Sequence, residues 1–358
     1  MRIAILGTRG IPARYGGFET FAEELATRLA ARGHPVTVYC RERAPEPIWR
    51  GVRLRYVPTI RHKYLDTIAH TFVSTLDLVR RRADVALYCN SANAIFTLLP
   101  RLTGIPVALN VDGLEWKRRK WNRLARAWYL LSERLAAVFP TAVVTDAESI
   151  QQYYLERYGK ATTCIPYGAE TGKVSSDAFV RALGLEPGRY FLYVSRLEPE
   201  NNPLMVRQAF ERARTDYKLA LVGDAPYAHD YIRQVRATAD PRIVMPGAIY
   251  GDGYRELGSH CYAYIHATEV GGTHPALIEA MGRGALVLDL DTKENAEVAA
   301  GAGMPFTGDL TLKIEQVLTM SASERDGYSQ RAMERVRERY SWESVTDQYE
   351  RLFRDLLD

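Results

Sequence analysis

At 358 residues the chain exceeds what one hydrophobic core usually serves, so two domains are expected. With 47% hydrophobic and 25% charged residues it is ordinary for a globular protein, which excludes a collagen-like, low-complexity or disordered chain. The net charge of +4 hides an asymmetry: the first 172 residues carry +10 and the remainder −6. The basic half suits an anionic partner such as lipid headgroups, a phosphorylated acceptor or nucleic acid.

Met1 leads directly into the strand-like run "RIAILG", so no cleavable leader is expected. No apolar run reaches spanning length, and a cytosolic location follows as the expectation. A glycine-bearing loop, "GTRGIPARYGG", comes next, and then a helix from about Phe18 to Arg32. "PVTVYC" and "VRLRYV" read as strands, "YLDTIAHTFVSTLDLVRR" as a helix, and "ADVALYCN" and "PVALNV" as strands again. A long helix is predicted from about Arg119 to Phe139, followed by "TAVVTD" and "TTCIPYG". After a polar linker, "GAETGKVSSD", a second series starts: "YFLYVS", "YKLALVGD", "RIVMPGAI", "CYAYIHAT" and "ALVLDL", each followed by a helix or turn. Strand and helix in alternation predict parallel sheets covered by helices, here as two doubly wound units. Cys40, Cys89, Cys164 and Cys261 are widely spaced without a CxxC pair, which predicts buried, reduced thiols.

In doubly wound sheets, ligands sit beyond the carboxyl ends of the strands, so "GTRGIPARYGG", "SRLEPENN", "VGDAPY" and "ATEVGGTHP" are the segments expected to carry function. Gly16 and Gly17 let the backbone approach a ligand, and the helix that follows turns free N–H groups toward an anion or sugar oxygen. The spacing is not G-x-G-x-x-G and no ribose-binding acid follows, which weakens a dinucleotide reading. Arg196 follows the strand "YFLYVS", where its guanidinium could clamp phosphate oxygens. Glu279 stands in an apolar setting after "GGTHPALI", where a carboxylate could accept two hydroxyl hydrogen bonds.

"YGGFET", "SRLEPENN", "GGTHPALIEAMGRGALVL" and the closing "YSWESVTDQYERLF" together resemble a family 4 glycosyltransferase over nearly the whole chain. Within that family, "GTRGIPARYGGFET", "NVDGLEWKRRKW" and "EPENN" are similar to a bacterial rhamnosyltransferase-like subgroup. The resemblance implies the GT-B fold, an α/β arrangement of two Rossmann-like doubly wound domains facing across a cleft. An acceptor-side domain would span 1–168, a nucleotide-sugar-binding domain 169–338, and a helix over 339–358 would return to the first. It further implies retaining transfer of a sugar, L-rhamnose from dTDP-rhamnose in this subgroup, to a lipid-linked saccharide acceptor during surface polysaccharide synthesis. UDP-glucose, UDP-GlcNAc and GDP-mannose are the alternative donors, and a catalytically silent nucleotide-sugar-binding protein or a nucleic-acid-binding protein is the alternative of another class.

Carried onto this sequence, the resemblance places Gly16, Gly17, Arg196, Asn201, Gly272, Thr273, His274, Pro275 and Glu279 around the donor, with Glu279 on the ribose. Arg196 and His274 are expected at the reacting end together with Asp112, which with Glu19 and Thr20 would position sugar or acceptor. Two departures stand out: the family's first glutamate falls on Gly271, and its usual lysine on Asn201. No metal or cofactor is expected, since the "DLD" pair Asp289 and Asp291 lacks further ligands at metal spacing. Trp121, Leu124, Trp128, Leu131 and Leu135 recur at helical spacing opposite Arg119, Arg123 and Arg126, which predicts an apolar stripe packed on the core. Lys117, Arg118, Arg119 and Lys120 are expected to face an anionic membrane surface from the cytoplasmic side, with the protein peripheral to it.

Overall fold

The computed structural model describes residues 1–13, 16–60, 65–119, 121–225 and 228–358. It divides into two compact units: Met1–Lys117, Trp121–Tyr167 and Trp342–Asp358 form the first, and Gly168–Ser341, with Arg118 and Arg119, the second.

In the first unit the strands are β1 (Ile3–Leu6), β2 (Val36–Cys40), β3 (Ile48–Trp49), β4 (Val52–Tyr56), β5 (Val85–Cys89), β6 (Val107–Asn110), β7 (Ala142–Thr145) and β8 (Thr163–Cys164). They lie in the order β3-β4-β2-β1-β5-β6-β7-β8, and every pair is parallel except β3 with β4. β1 and β5 are buried at every residue, as continuous apolar strands covered on both faces should be. The second unit holds β9 (Tyr190–Val194), β10 (Lys218–Val222), β11 (Ile243–Gly247), β12 (Ala263–His266), β13 (Val287–Leu290) and β14 (Met304–Phe306). Their order is β11-β10-β9-β12-β13-β14, all parallel. Phe191, Phe210, Leu221, Ile265 and Leu288 lie in one core on this sheet. β3 and β14 escape sequence reading because two or three residues are too few to show a period.

Strand order sets where chemistry can sit. In the first unit the winding reverses between β1 and β5; in the second it reverses between β9 and β12. The loops leaving those strands diverge to opposite faces of the sheet and open a crevice at the carboxyl ends.

The helix Trp342–Asp355 belongs to the first unit, where Tyr349 packs on Phe21 with ring centroids 5.3 Å apart and receives a hydrogen bond from Asn110 Nδ2 at 2.8 Å. Arg32 ties it down through Glu343 (2.9 Å), Asp347 (2.7 Å) and Glu350 (2.9 Å). The hydrogen bond from Arg32 is the largest influence holding the Glu350 carboxyl down, at about 2 against an ordinary 4.5. A depressed carboxylate contributes stability above its unfolded pKa and loses it as pH falls through the folded value. Thermal melting of the wild type is therefore expected to drop between about pH 4.5 and 2 more steeply than that of Arg32→Ala. Parallel profiles for the two proteins would remove Arg32–Glu350 as an acid-labile tie.

The segment around residue 120 departs from expectation. Its helix runs Arg123–Ala136, shorter than predicted, because the Asn122 side chain caps it by accepting the Ala125 N–H at 2.9 Å. The buried face is Tyr129, Ser132, Glu133 and Ala136; of the predicted stripe Leu135 packs against the core, whereas Leu124 is 82% exposed and Leu131 45%. Tyr153 and Tyr158 each donate to Glu133 Oε2 at 2.9 Å, so a carboxylate with two partners takes the inward position. Cys40 and Cys89 are buried as expected, whereas Cys164 and Cys261 are half-buried; all four are free thiols.

Candidate functional site

The first crevice is entered by the loop after β1. Its conformational demand falls on Gly7 and Gly10, at φ +90° and +108°; a Cβ at Gly7 would lie 2.3 Å from the Cys89 carbonyl oxygen. Gly16, expected to let the backbone approach a ligand, is extended at φ −165° and stands just before the helix Gly17–Ala31. Glu19, expected to position sugar or acceptor, faces the loop itself. It is buried, accepts the Arg9 backbone N–H at 3.0 Å and thereby braces the loop, while burial pushes its carboxyl up. Thr20 is half-buried with its hydroxyl 3.5 Å from the Gly16 carbonyl oxygen. Asp112 follows β6 at φ +57°, a left-handed conformation uncommon for a non-glycine residue. Its N–H donates to Asn110 Oδ1 at 3.0 Å and its Oδ1 accepts the Tyr167 hydroxyl at 3.3 Å, leaving the residue half-exposed.

The second crevice gathers more of the singled-out residues. Arg196 leaves β9 and the segment 267–279 leaves β12, the two strands flanking the winding reversal. The Arg196 backbone is pinned: its carbonyl accepts from Ser195 Oγ at 2.9 Å and from Asn201 Nδ2 at 2.7 Å. Its side chain is 38% exposed, and the Glu198 carboxylate stands 3.7 Å from the guanidinium. Asn201 is buried, and its amide Nδ2 donates to this carbonyl. Asn202 is committed too, to the Ala267 carbonyl at 2.9 Å and Glu269 at 3.0 Å.

After β12, Gly272, Thr273 and His274 are buried, and Pro275 opens the helix Pro275–Gly282 that carries half-buried Glu279. Tyr254 donates its hydroxyl to Glu279 Oε2 at 2.7 Å, orienting the carboxylate. His274 Nδ1 lies 2.7 Å from Asn295 Oδ1 and 3.0 Å from His266 Nε2. Burial, with a lesser contribution from the nearby Arg118 charge, lowers its imidazole to about 4. Asp289, behind the same segment, is buried and pushed up to about 7 by desolvation. Tyr254, His266 and Asn295 carried no sequence signal beyond the strand and helix they occupy.

The basic quartet does not act as one face. Lys117 and Arg119 are exposed, but Arg119 pairs with Glu269 at 2.9 Å. Arg118 is 8% exposed and so cannot present its charge to a surface, contrary to expectation. Lys120 lies outside the described residues.

Residues 16–168 match the family described as "Glycosyl transferase 4-like domain", and residues 188–318 match "Glycosyl transferases group 1". Two glycosyltransferase domain matches thus cover most of the chain, and its fold is the GT-B fold. The sucrose-phosphate synthase of Thermosynechococcus elongatus is similar with a TM-score of 0.81 at 18% identity, covering 99% of this chain and 98% of that one. Anabaena Alr3699/HepE, solved in complex with UDP-glucose, gives 0.80 at 16% identity over 99% and 100% of the two chains. The trehalose-phosphate synthase (UDP-forming) of Burkholderia vietnamiensis gives 0.74 at 11% identity over 99% and 100%. No curated protein sequence matches this glycosyltransferase significantly. The second crevice falls inside the second matched segment, and Glu19, Thr20 and Asp112 inside the first.

Proposed function

We propose that this glycosyltransferase moves L-rhamnose from dTDP-rhamnose to a lipid-linked saccharide acceptor in surface polysaccharide synthesis, with retention at the anomeric carbon. The observation that carries the donor half is the placement of Arg196, on the loop after β9, and the Tyr254-oriented Glu279, on the helix after β12, at the winding reversal of the second unit. Glu279 accepts hydroxyl hydrogen bonds from the ribose, and Arg196 neutralises the diphosphate as it leaves. Gly272, Thr273 and Pro275 form the backbone wall around sugar and phosphate. Asp112 positions the acceptor, whose oxygen bonds to the anomeric carbon as the carbon–diphosphate bond breaks; the acceptor proton passes to a departing phosphate oxygen. Charge neutralisation by Arg196 and backbone N–H groups makes no call on a metal or cofactor. A UDP-glucose donor is the second reading, favoured by the UDP-glucose complex of the Anabaena relative.

Membrane attachment belongs to the same proposal. Among the described residues no helix is long and apolar enough to cross a bilayer. The helix Arg123–Ala136 instead exposes Leu124 and Leu131 beside exposed Arg123, Arg126 and Arg134, and Leu102 is 74% exposed. Apolar side chains ringed by arginine suit an anionic headgroup layer. Leu124→Ser with Leu131→Ser is expected to weaken sedimentation with phosphatidylglycerol vesicles at least about fivefold, since each leucine withdrawn forfeits part of its ~1.5–3 kcal/mol transfer; unchanged binding would remove this face from the proposal.

The transferase reading is tested by incubating the protein and a bacterial lipid extract with dTDP-rhamnose, UDP-glucose, UDP-GlcNAc and GDP-mannose in turn, and quantifying labelled lipid. Labelling from dTDP-rhamnose above the others supports rhamnosyl transfer; labelling from UDP-glucose supports the second reading. No labelled lipid from any of the four would count against transfer to a lipid-linked acceptor.

A further inference from the structure

We infer that Tyr167 and Tyr349 are positioning residues for sugar transfer: Tyr167 aims the Asp112 carboxylate at the acceptor, and Tyr349, through Asn110, holds the Asp112 backbone in its left-handed conformation. The inference rests on the acceptor role given to Asp112 above and deepens it. All four residues belong to the first unit. A non-glycine residue at φ +57° persists only where its surroundings over-determine it. For the Asp112 main chain the determinant is Asn110. The Asp112 N–H can only donate, so Asn110 turns Oδ1 toward it, at 3.0 Å. That leaves Nδ2 for the other side, where it donates to the Tyr349 hydroxyl oxygen at 2.8 Å. Asn110 is buried, so its amide has these partners in place of water. The closing helix Trp342–Asp355, whose sequence carries part of the family resemblance, thereby reaches the residue that follows β6.

The carboxylate is held from a second direction. Tyr167 donates its hydroxyl to Asp112 Oδ1 at 3.3 Å. An ionised carboxylate only accepts, so the phenol must keep its proton for this contact. Burial pushes the Tyr167 hydroxyl well above its ordinary range, and the neighbouring Asp112 and Asp146 charges push the same way. Phe21, on the helix Gly17–Ala31, seats both tyrosines: its ring centroid lies 5.4 Å from that of Tyr167, edge on, and 5.3 Å from that of Tyr349. All three rings are buried, and close packing leaves them little rotamer freedom, which fixes where each hydroxyl points. Asp112 stays half-exposed, so the aimed group meets solvent while the groups that aim it do not. A carboxylate turned slightly away loses near-attack geometry, which slows transfer and leaves donor binding untouched. Core packing alone makes no use of the two hydroxyls.

The test removes the hydroxyls and keeps the rings. Wild type, Tyr167→Phe and Tyr349→Phe are incubated with a bacterial lipid extract and whichever of dTDP-rhamnose, UDP-glucose, UDP-GlcNAc and GDP-mannose wild type transfers fastest. Labelled lipid is followed over time, and the donor dissociation constant is measured by calorimetry. Tyr167→Phe is expected to slow transfer roughly tenfold and Tyr349→Phe about threefold or more, with donor affinity within about twofold of wild type. Both changes are repeated in Asp112→Gly, which removes the carboxylate and accepts the left-handed backbone without strain. There each is expected to alter the residual rate less than about twofold, because the group it acts through is gone. Loss by the same factor in both backgrounds, donor affinity falling in step with the rate, or wild-type transfer by Tyr167→Phe overturns the assignment. Should Asp112→Gly transfer too slowly to read, the split between rate and donor affinity decides. If wild type transfers from none of the four donors, the transferase reading fails and takes this inference with it; transfer that ignores both hydroxyls overturns the inference alone.

Discussion

Glu279→Ala is expected to weaken binding of the nucleoside diphosphate about a hundredfold, close to 3 kcal/mol, while the melting temperature stays within about 2 °C of wild type. A carboxylate accepting two hydroxyl hydrogen bonds loses two charge-assisted contacts at once, each worth about 1.5–3 kcal/mol when its partner has left water. The fold should tolerate the change, because Glu279 is half-buried on the helix Pro275–Gly282 and alanine is the best helix former. Glu279→Gln retains one acceptor oxygen and is expected to lose about tenfold. Tyr254→Phe removes the hydroxyl that orients Oε2 at 2.7 Å and should cost only a few-fold. This ordering separates ribose recognition from general damage: equal affinity for wild type and Glu279→Ala would take Glu279 out of the site.

Gly223→Ala is expected to destabilise the second unit by roughly 3 kcal/mol or more, a melting drop of about 6–12 °C. Gly223 follows β10 at φ +149°, and a Cβ there would lie 1.8 Å from the Ser195 carbonyl oxygen. That oxygen is main chain, so it cannot swing away as a long side chain would. Its N–H is also committed, donating to the Gly247 carbonyl at 2.9 Å. Overpacking and backbone strain each contribute about 1–3 kcal/mol. The displaced Ser195 carbonyl precedes Arg196, so diphosphate affinity should fall with stability. Gly258→Ala is the control: it sits within the helix Gly251–His260, its Cβ would meet only Arg283 at an ordinary 3.6 Å, and a change under about 1 kcal/mol is expected. Comparable melting temperatures for Gly223→Ala and Gly258→Ala would contradict the close-approach argument.

Where the sequence was legible, the physics was periodic or compositional. "RIAILG", "ADVALYCN" and "YFLYVS" announced parallel strands because covered strands must be apolar throughout. Arg196 could be singled out because it follows such a strand. The helix after Trp121 was misread because leucines at helical spacing look inward-facing, whereas Glu133 takes that place by finding two tyrosine hydroxyls far along the chain. No local pattern encodes such partners. Arg118 was misjudged similarly: four consecutive basic residues suggest one charged surface, but successive residues in a short turn point in different directions, and one is buried. The positive-φ demand in the first loop falls on Gly7 and Gly10, which carry no spacing signal that distinguishes them from Gly16 and Gly17. The coupling of Gly271 to His274, where a Cβ on the glycine would stand 2.1 Å from Nε2, lay beyond reading from either residue alone, since it is a matter of shared volume.

The claim on which the rest depends is that an activated sugar is held by the loops leaving β9 and β12. Hydrogen–deuterium exchange of the intact chain, with and without a saturating sugar nucleotide chosen from dTDP-rhamnose and UDP-glucose, tests it most directly. Slowed exchange concentrated in peptides covering 195–202 and 268–282 is the predicted result. Protection confined to other segments, with those two unchanged at saturation, would contradict it.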